Sequence, residues 1–189
     1  MDMRKSGNLR MLMAAVLVLI FAMLVAGCDK QQSGAGSGSE QSAQNALEHV
    51  LSCTVQEAAD FETASEEVKK TAETGDETGL VSVDGLETYF QTRFGDDLTE
   101  ECMNRMTADR TIAVSIKLAE QYQSDILAED IQLTERSGDE DMYDFEAKLV
   151  TAADSKQIAS VTGVVAMKEE SQAVWKISNL TVKVMDVIN

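Results

Sequence analysis

The chain has 189 residues, hydrophobic residues make up 44% of them, and its formal net charge is −17. This length and composition are typical of one globular domain with a core of its own. A surface with such an excess of carboxylates repels phosphate backbones, which excludes nucleic acid as a partner. The sequence contains no proline, so only glycines and polar turns divide its predicted elements.

Residues 1–27 have the layout of an export signal. The basic start MDMRKSGNLR is followed at residues 11–26 by an apolar run without any charged side chain. This run is short for a permanent span of the membrane, which needs about 20 apolar residues. We therefore expect residues 1–27 to be a signal peptide that is removed during export.

The cysteine that follows this segment belongs to the most specific motif in the chain. Residues 25–28, VAGC, resemble the lipobox of bacterial lipoproteins, in which an aliphatic residue and two small residues precede a cysteine. The resemblance implies that Cys28 is lipidated and becomes the new N-terminus, with an uncleaved N-terminal helix as the alternative. Because two or more acyl chains, such as palmitate, give a stable anchor, we expect a lipoprotein held at the extracytoplasmic face of the cell membrane.

Residues 28–45 predict a flexible tether, and residues 46–189 predict a single acidic domain. The stretch DKQQSGAGSGSEQSAQN, which directly follows Cys28, has no large apolar side chain and is rich in glycine, serine and glutamine. The covalent lipid on Cys28 is the only attached group that we expect, and no cofactor is predicted. The expected partners are the membrane, through this lipid, and an envelope protein.

Three helices are predicted at the start of the domain. Apolar residues recur every three or four positions along residues 46–72, which indicates one long amphipathic helix. Asp84 with Glu87, and Asp97 with Glu100, resemble capping boxes that begin two short helices. Gly95 is expected to end the first of these two.

The second half of the domain has the period of β-strands. Apolar residues alternate with other residues along five stretches, and the polar segments RSGDED, AADSK and KEESQ predict turns. The predicted strands cover residues 112–118, 127–133, 143–149, 159–167 and 175–184. A slip in phase near Ser178 and Asn179 predicts a β-bulge, and Gly163 predicts another. The fold class is therefore α+β, with the long N-terminal helix and two short helices packed on a curved antiparallel sheet of four or five strands.

This order of elements resembles the cystatin-like α+β superfamily, typified by nuclear transport factor 2, over residues 46–189. The resemblance rests on the long first helix, the two short helices, the strand meander and the closing VWKISNLTV with the single Trp175. It implies a sheet curled into a cone that can hold a small ligand. Some members of the superfamily are isomerases or dehydratases, and many only bind or assemble.

Few side chains mark a catalytic or metal site. His49 is the only histidine, and no nucleophile or orienting acid is placed with it by the sequence. The cysteines are dispersed, unlike a zinc-binding set, and GDEDMYD lacks the glycine and glutamate positions of an EF-hand. Only Tyr143 is predicted to point inward among the candidate groups, and a core role is expected for it. No catalytic or metal-binding residue is therefore predicted.

Two cysteines, Cys53 and Cys102, remain once Cys28 is lipidated. In an exported domain they could form a disulfide, and two buried free thiols are the alternative. The function predicted from all these features is non-catalytic binding or assembly at the cell envelope. The alternative is a small-ligand pocket, enzymatic or sensory, in the concave face of the sheet. A filled concave face would favour the first function, and a deep apolar cavity the second.

Overall fold

The structure, a computed structural model, describes residues 38–74, 84–108, 113–139 and 141–187. The predicted signal peptide, Cys28 and the first part of the predicted tether lie outside these residues. The helices are α1 (Gly38–Leu51), α2 (Val55–Thr74), α3 (Asp84–Phe94), α4 (Glu100–Ala108) and α5 (Val114–Tyr122). The strands are β1 (Ile126–Glu135), β2 (Met142–Thr151), β3 (Gln157–Ser171) and β4 (Val174–Val187).

The four strands form one antiparallel sheet in the order β1-β2-β3-β4. Each strand pairs with the next one along the chain, and the first two connections fall at the polar segments RSGDED and AADSK. The third turn is tighter than predicted, since β3 continues through most of KEESQ. The α+β class and the antiparallel sheet are therefore confirmed.

Helix α1 packs directly on this sheet and contacts β1, β3 and β4. It begins at Gly38, so residues 38–45 of the predicted tether belong to a helix. Small side chains make this possible, because Ser39 and Ala43 are fully buried two turns and one turn before Leu47. The spacing of four residues puts all three on one helical face.

The predicted single helix over residues 46–72 is two helices, α1 and α2, so that prediction was wrong. Thr54 and Glu57 form a capping box that begins the second helix. The backbone N–H of Glu57 donates to Oγ1 of Thr54 at 3.1 Å, and the N–H of Thr54 donates to Oε2 of Glu57 at 2.6 Å. Between the helices, Cys53 forms an antiparallel β-bridge with Ile126. The longer helix, α2, packs mainly on α3 and α5 instead of on the sheet.

The strand predicted at residues 112–118 is wrong, because most of this stretch lies in helix α5. The buried residues Ser115, Ile116 and Ala119 lie on one face at helical spacing. A short apolar run is compatible with the period of a strand and with that of a helix. The good helix formers LAEQ, at residues 118–121, favour the helix here. The sheet consequently has four strands.

The register of β1 changes at a bulge that the sequence analysis missed. Ile126 and Ala128 are buried, Leu127 is 40% exposed, and the register shifts between Glu129 and Gln132. After the shift, odd-numbered residues such as Leu133 pack against the core. Leu127 therefore does not share the inner face with Leu133, although both lie in phase within the strand predicted at residues 127–133.

Of the two predicted bulges, one is confirmed and one is wrong. Ala166 pairs with Asn179 and Met167 pairs with Ile177, which leaves Ser178 as the extra residue. Gly163 pairs regularly with both neighbouring strands. Its small size is needed for another reason, because a Cβ there would overlap the carbonyl oxygen of Thr181 and lie 2.7 Å from the ring of Phe145.

Candidate functional site

The inner face of the sheet, which faces α1, is filled by side chains. Phe145, Leu149, Val161 and Val165 on this face are each at most 2% exposed. A cavity of only about 10 Å³ remains between sheet and helices. It is lined by Val50, Leu51, Met106, Val114, Ser115, Leu149 and Val182. This space holds at most about one water molecule, so it is not a ligand pocket.

Tyr143 points into the core as predicted, and its hydroxyl has a structural partner. The hydroxyl of Ser39 donates to Oδ1 of Asp141 at 2.5 Å. Tyr143 therefore donates its own hydroxyl to Oγ of Ser39, at 2.9 Å. These bonds join the start of α1 to the start of β2 and leave the phenol in a structural role.

A surface groove of about 570 Å³ runs between α2 and α3, and we call it the α2–α3 groove. Acidic side chains are prominent on its α2 wall, and hydroxyl-bearing side chains on its α3 wall. The lining residues are His49, Glu57, Asp60, Thr63, Ala64, Glu67, Gly85, Thr88, Tyr89, Thr92 and Arg93. Most of the exposed lining is nonetheless apolar carbon, so the groove suits a partner that makes both apolar and polar contacts.

Arg93 lies at the floor of this groove and is only 8% exposed. Its Nη2 donates to the carbonyl oxygen of Ser52, and its Nη1 donates to Sγ of Cys53 at 3.3 Å and to the hydroxyl of Tyr89 at 3.2 Å. The carboxylate of Glu57 lies 3.5 Å from Nη1 and balances the charge. One side chain thus joins the break between α1 and α2 to helix α3.

The guanidinium of Arg93 also lies over an aromatic ring. Its Cζ is 4.7 Å from the ring centroid of Phe94, which is within the range of a cation–π contact. Among the described residues, its buried Nε has no hydrogen-bond partner. Its Nη1 and Nη2 donate hydrogen bonds to groups inside the fold, so this arginine has a structural role.

Burial favours the neutral forms of two groups beside Arg93, the Cys53 thiol and the Tyr89 phenol. Burial raises the pKa of the Cys53 thiol, and the nearby Arg93 offsets only part of that effect. Burial likewise raises the pKa of the Tyr89 phenol. A reactive cysteine needs a lowered pKa and access to solvent, and Cys53 has neither. The cluster therefore does not provide a nucleophile.

His49 sits at the edge of the α2–α3 groove, half-exposed, and pairs with an acid. Its Nδ1 lies 2.5 Å from Oδ2 of Asp97. Asp97 belongs to a loop that covers the edge of β4, since its carbonyl oxygen accepts from the N–H of Ile177 at 2.7 Å. In the described part of the chain no hydroxyl or thiol hydrogen-bonds to His49, so the pair lacks the nucleophile of a triad.

Cys53 and Cys102 are both free and buried in the structure. Burial raises the pKa of the Cys102 thiol, as it does for Cys53. Over residues 38–187, in the parts that are described, no group of histidine, cysteine and acidic residues is placed to hold a metal ion.

The sequence analysis missed two features of this region, the capping box at Thr54 and Glu57 and the burial of Arg93. Only the capping box has a signal in the sequence. Thr54-Val-Gln-Glu57 has the spacing of a capping box, and it interrupts the apolar stripe on which the long helix was predicted. Arg93 lies between Phe90 and Phe94 in the helical stretch TYFQTRF. Its burial has no local signal, because the partners come from residues far away in the sequence.

Comparison with known protein families, with curated proteins and with solved structures gave no match for this chain. None of the helices described between residues 38 and 187 is long and apolar enough to cross a membrane.

Proposed function

We propose that this chain is a bacterial lipoprotein, anchored by a lipid on Cys28 at the extracytoplasmic face of the cell membrane. The proposal is supported by the order of a basic start, an apolar run, and VAGC at residues 25–28. In this arrangement residues 1–27 are the signal peptide, and the acidic α+β domain stays outside the cytoplasmic membrane.

The domain acts through non-catalytic binding or assembly at the envelope. The observation that supports this most directly is the filled inner face of the sheet, where only about 10 Å³ stays open. At the floor of the α2–α3 groove, Arg93, Cys53 and Tyr89 are joined by hydrogen bonds inside the fold, and Cys53 is not a reactive nucleophile. The mixed apolar and polar surface of that groove is available for contact with an envelope protein.

A distant kinship with the cystatin-like superfamily is part of the same proposal. Helices followed by an antiparallel meander support it, as does the confirmed bulge at Ser178 in the closing strand. Members that only bind or assemble do not need an open cone, and a filled inner face agrees with that group.

The anchor is tested by changing Cys28 to alanine in the full chain. We expect the variant to leave the membrane fraction or to accumulate as an uncleaved precursor. Mass spectrometry of the purified wild-type protein should show a diacylglyceryl group on an N-terminal Cys28. An unmodified N-terminus, or an intact leader on the mature protein, would contradict the anchor.

The binding role is tested by site-specific photo-crosslinking in intact cells. A photoreactive residue at Thr88, in the α2–α3 groove, should give a discrete protein adduct in the envelope fraction. The matched control is the same residue at Glu146, which lies on the outer face of the sheet away from the groove. A tightly held small molecule, detected by native mass spectrometry of the wild-type protein, would support the alternative function instead.

A further inference from the structure

The predicted tether enters the domain at one end of the sheet. A Cβ at Gly38 would lie 3.5 Å from Nε1 of Trp175, which is the second residue of β4. The next residue, Ser39, bonds to Asp141 and Tyr143 at the start of β2. Gly38 is therefore fixed beside the β1–β2 and β3–β4 turns, and we call this end of the sheet the hairpin pole.

Helix α1 then crosses the sheet to the other end. The backbone N–H of Cys53 donates to the carbonyl oxygen of Ile126, the first residue of β1, at 2.9 Å. The N–H of Ala128 donates to Oγ of Ser52 at 3.0 Å. This opposite end, which also contains the β2–β3 turn, is called the distal pole. Arg93, at the floor of the α2–α3 groove, contacts the chain at Ser52 and Cys53, beside this pole.

We infer that the anchored domain stands with its hairpin pole toward the bilayer and presents its distal pole, with the Arg93 end of the groove, to partners farther out. This inference rests on the proposed lipid anchor at Cys28. The chain from Cys28 to Gly38 can span at most about 35 Å, whatever its conformation, because each residue adds no more than about 3.5 Å. The hairpin pole is thus kept close to the membrane by covalent geometry.

The hairpin pole is acidic, so it does not adhere to an anionic leaflet. Its carboxylates outnumber its cations, and two of its basic side chains are already paired with them. The carboxylates are Glu135, Asp139, Asp141, Asp144, Glu169 and Glu170, and the basic residues are Arg136, Lys168 and Lys176. Arg136 pairs with Asp144, and Lys176 pairs with Glu170. Repulsion between like charges therefore holds this pole off an anionic leaflet, at a distance that the length of the tether limits.

The orientation is tested by energy transfer from single dyes on the full-length lipidated protein to acceptor dyes on the headgroups of anionic vesicles. Gln172→Cys puts a label on the hairpin pole, and Ala153→Cys puts a matched label on the distal pole; both positions are exposed turn residues. The buried native thiols stay unlabelled in the folded protein. Because the length of β2 separates the poles by about 33 Å, transfer at position 172 should exceed transfer at position 153 by about twofold or more.

Equal transfer at the two positions, or stronger transfer at position 153, would overturn the orientation while leaving the anchor intact. Failure of the wild-type protein to float with vesicles would contradict the anchor itself, and the orientation with it. Labelled Cys28→Ala protein serves as the control and should show no transfer above that of free dye. The two proposals thus fail in different measurements.

Discussion

Arg93 is a charged side chain almost fully enclosed by the protein, and its removal should destabilise the fold. Arg93→Met keeps most of the volume but leaves the carbonyl of Ser52 and the hydroxyl of Tyr89 without their donor. We expect the free energy of unfolding to fall by about 2–4 kcal/mol, because hydrogen bonds to a buried charge are strong and costly to break. Urea denaturation followed by circular dichroism measures this loss.

The matched control is Arg136→Met, which removes a half-exposed arginine that is paired with Asp144 at 3.3 Å. A solvent-exposed ion pair contributes less than about 1 kcal/mol, so this variant should be nearly as stable as the wild type. Equal losses in the two variants would show that the ties made by Arg93 do not stabilise the fold.

The two buried thiols predict a loss of stability in alkali. Burial raises the pKa of both Cys53 and Cys102, so the folded state holds protons that the unfolded state releases above about pH 8.5. Their contribution is complete below that pH and is lost as the pH rises through the folded values. Replacing both with alanine should flatten the fall in unfolding free energy between about pH 7.5 and pH 9.5.

This experiment is run by urea denaturation with reductant present, and the slope against pH is compared between the two proteins. The double variant is expected to be less stable throughout, since each alanine leaves a cavity, but its slope should be smaller. Tyr89 also has a pKa raised by burial, so some slope remains at higher pH. Identical slopes would contradict burial of the thiols.

Among the elements, β3 has one position where any side chain would collide with the neighbouring strand. Gly163→Ala would force a Cβ against the carbonyl oxygen of Thr181 and the ring of Phe145. Because backbone and a fully packed ring cannot move aside, we expect a loss of about 2–3 kcal/mol in urea denaturation. Thr162→Ala, on the opposite face of the same strand, should cost less than about 1 kcal/mol. A neutral Gly163→Ala variant would contradict the close approach.

The alternation of apolar residues predicted the strands correctly where one face of a strand is buried along its whole length. The bulge at Ser178 was predicted because Trp175 and Ile177 are out of phase with Leu180 and Val182. The same rule failed in β1, where Leu127 matches the phase of Ile131 and Leu133 but the bulge between Glu129 and Gln132 lies between them. Alternation over a few residues cannot reveal a shift in register when the residues at the bulge, such as Glu129 and Asp130, are polar.

The candidate site depended on contacts that sequence patterns do not contain. The capping box at Thr54 and Glu57 is the exception: it is local, and its spacing would have predicted where α2 begins, although the sequence analysis did not use it. The environment of Arg93 arises only when the break between α1 and α2 packs against α3, which is a tertiary event. The burial of Arg93 therefore results from tertiary packing, and the nearby residues Phe90 and Phe94 do not indicate it.

For the molecule as a whole, α1 has two connected roles. It packs on the inner face of the sheet, where the cystatin-like resemblance implies a ligand pocket, and it fixes the point where the chain enters the domain. The same helix thus supports the proposed binding role and, under the proposed anchor at Cys28, determines which pole faces the bilayer. Both roles require that the domain begins before Ala46, within the stretch that composition assigned to the tether.

The boundary of the domain can be tested with two shortened chains, one beginning at residue 36 and one at residue 46. The shorter chain lacks Ser39 and Ala43, which are fully buried, and it leaves the hydroxyl of Tyr143 without Oγ of Ser39. We expect it to lose about 2–4 kcal/mol of unfolding free energy relative to the longer chain, from lost apolar burial and hydrogen bonds. Ser39→Ala in the longer chain is the control and should cost about 1 kcal/mol, the share of the hydrogen bonds alone. Equal stability of the two chains would mean that residues 38–45 act as a tether, as their composition predicts. It would also remove the fixed entry point on which the proposed orientation of the anchored domain depends.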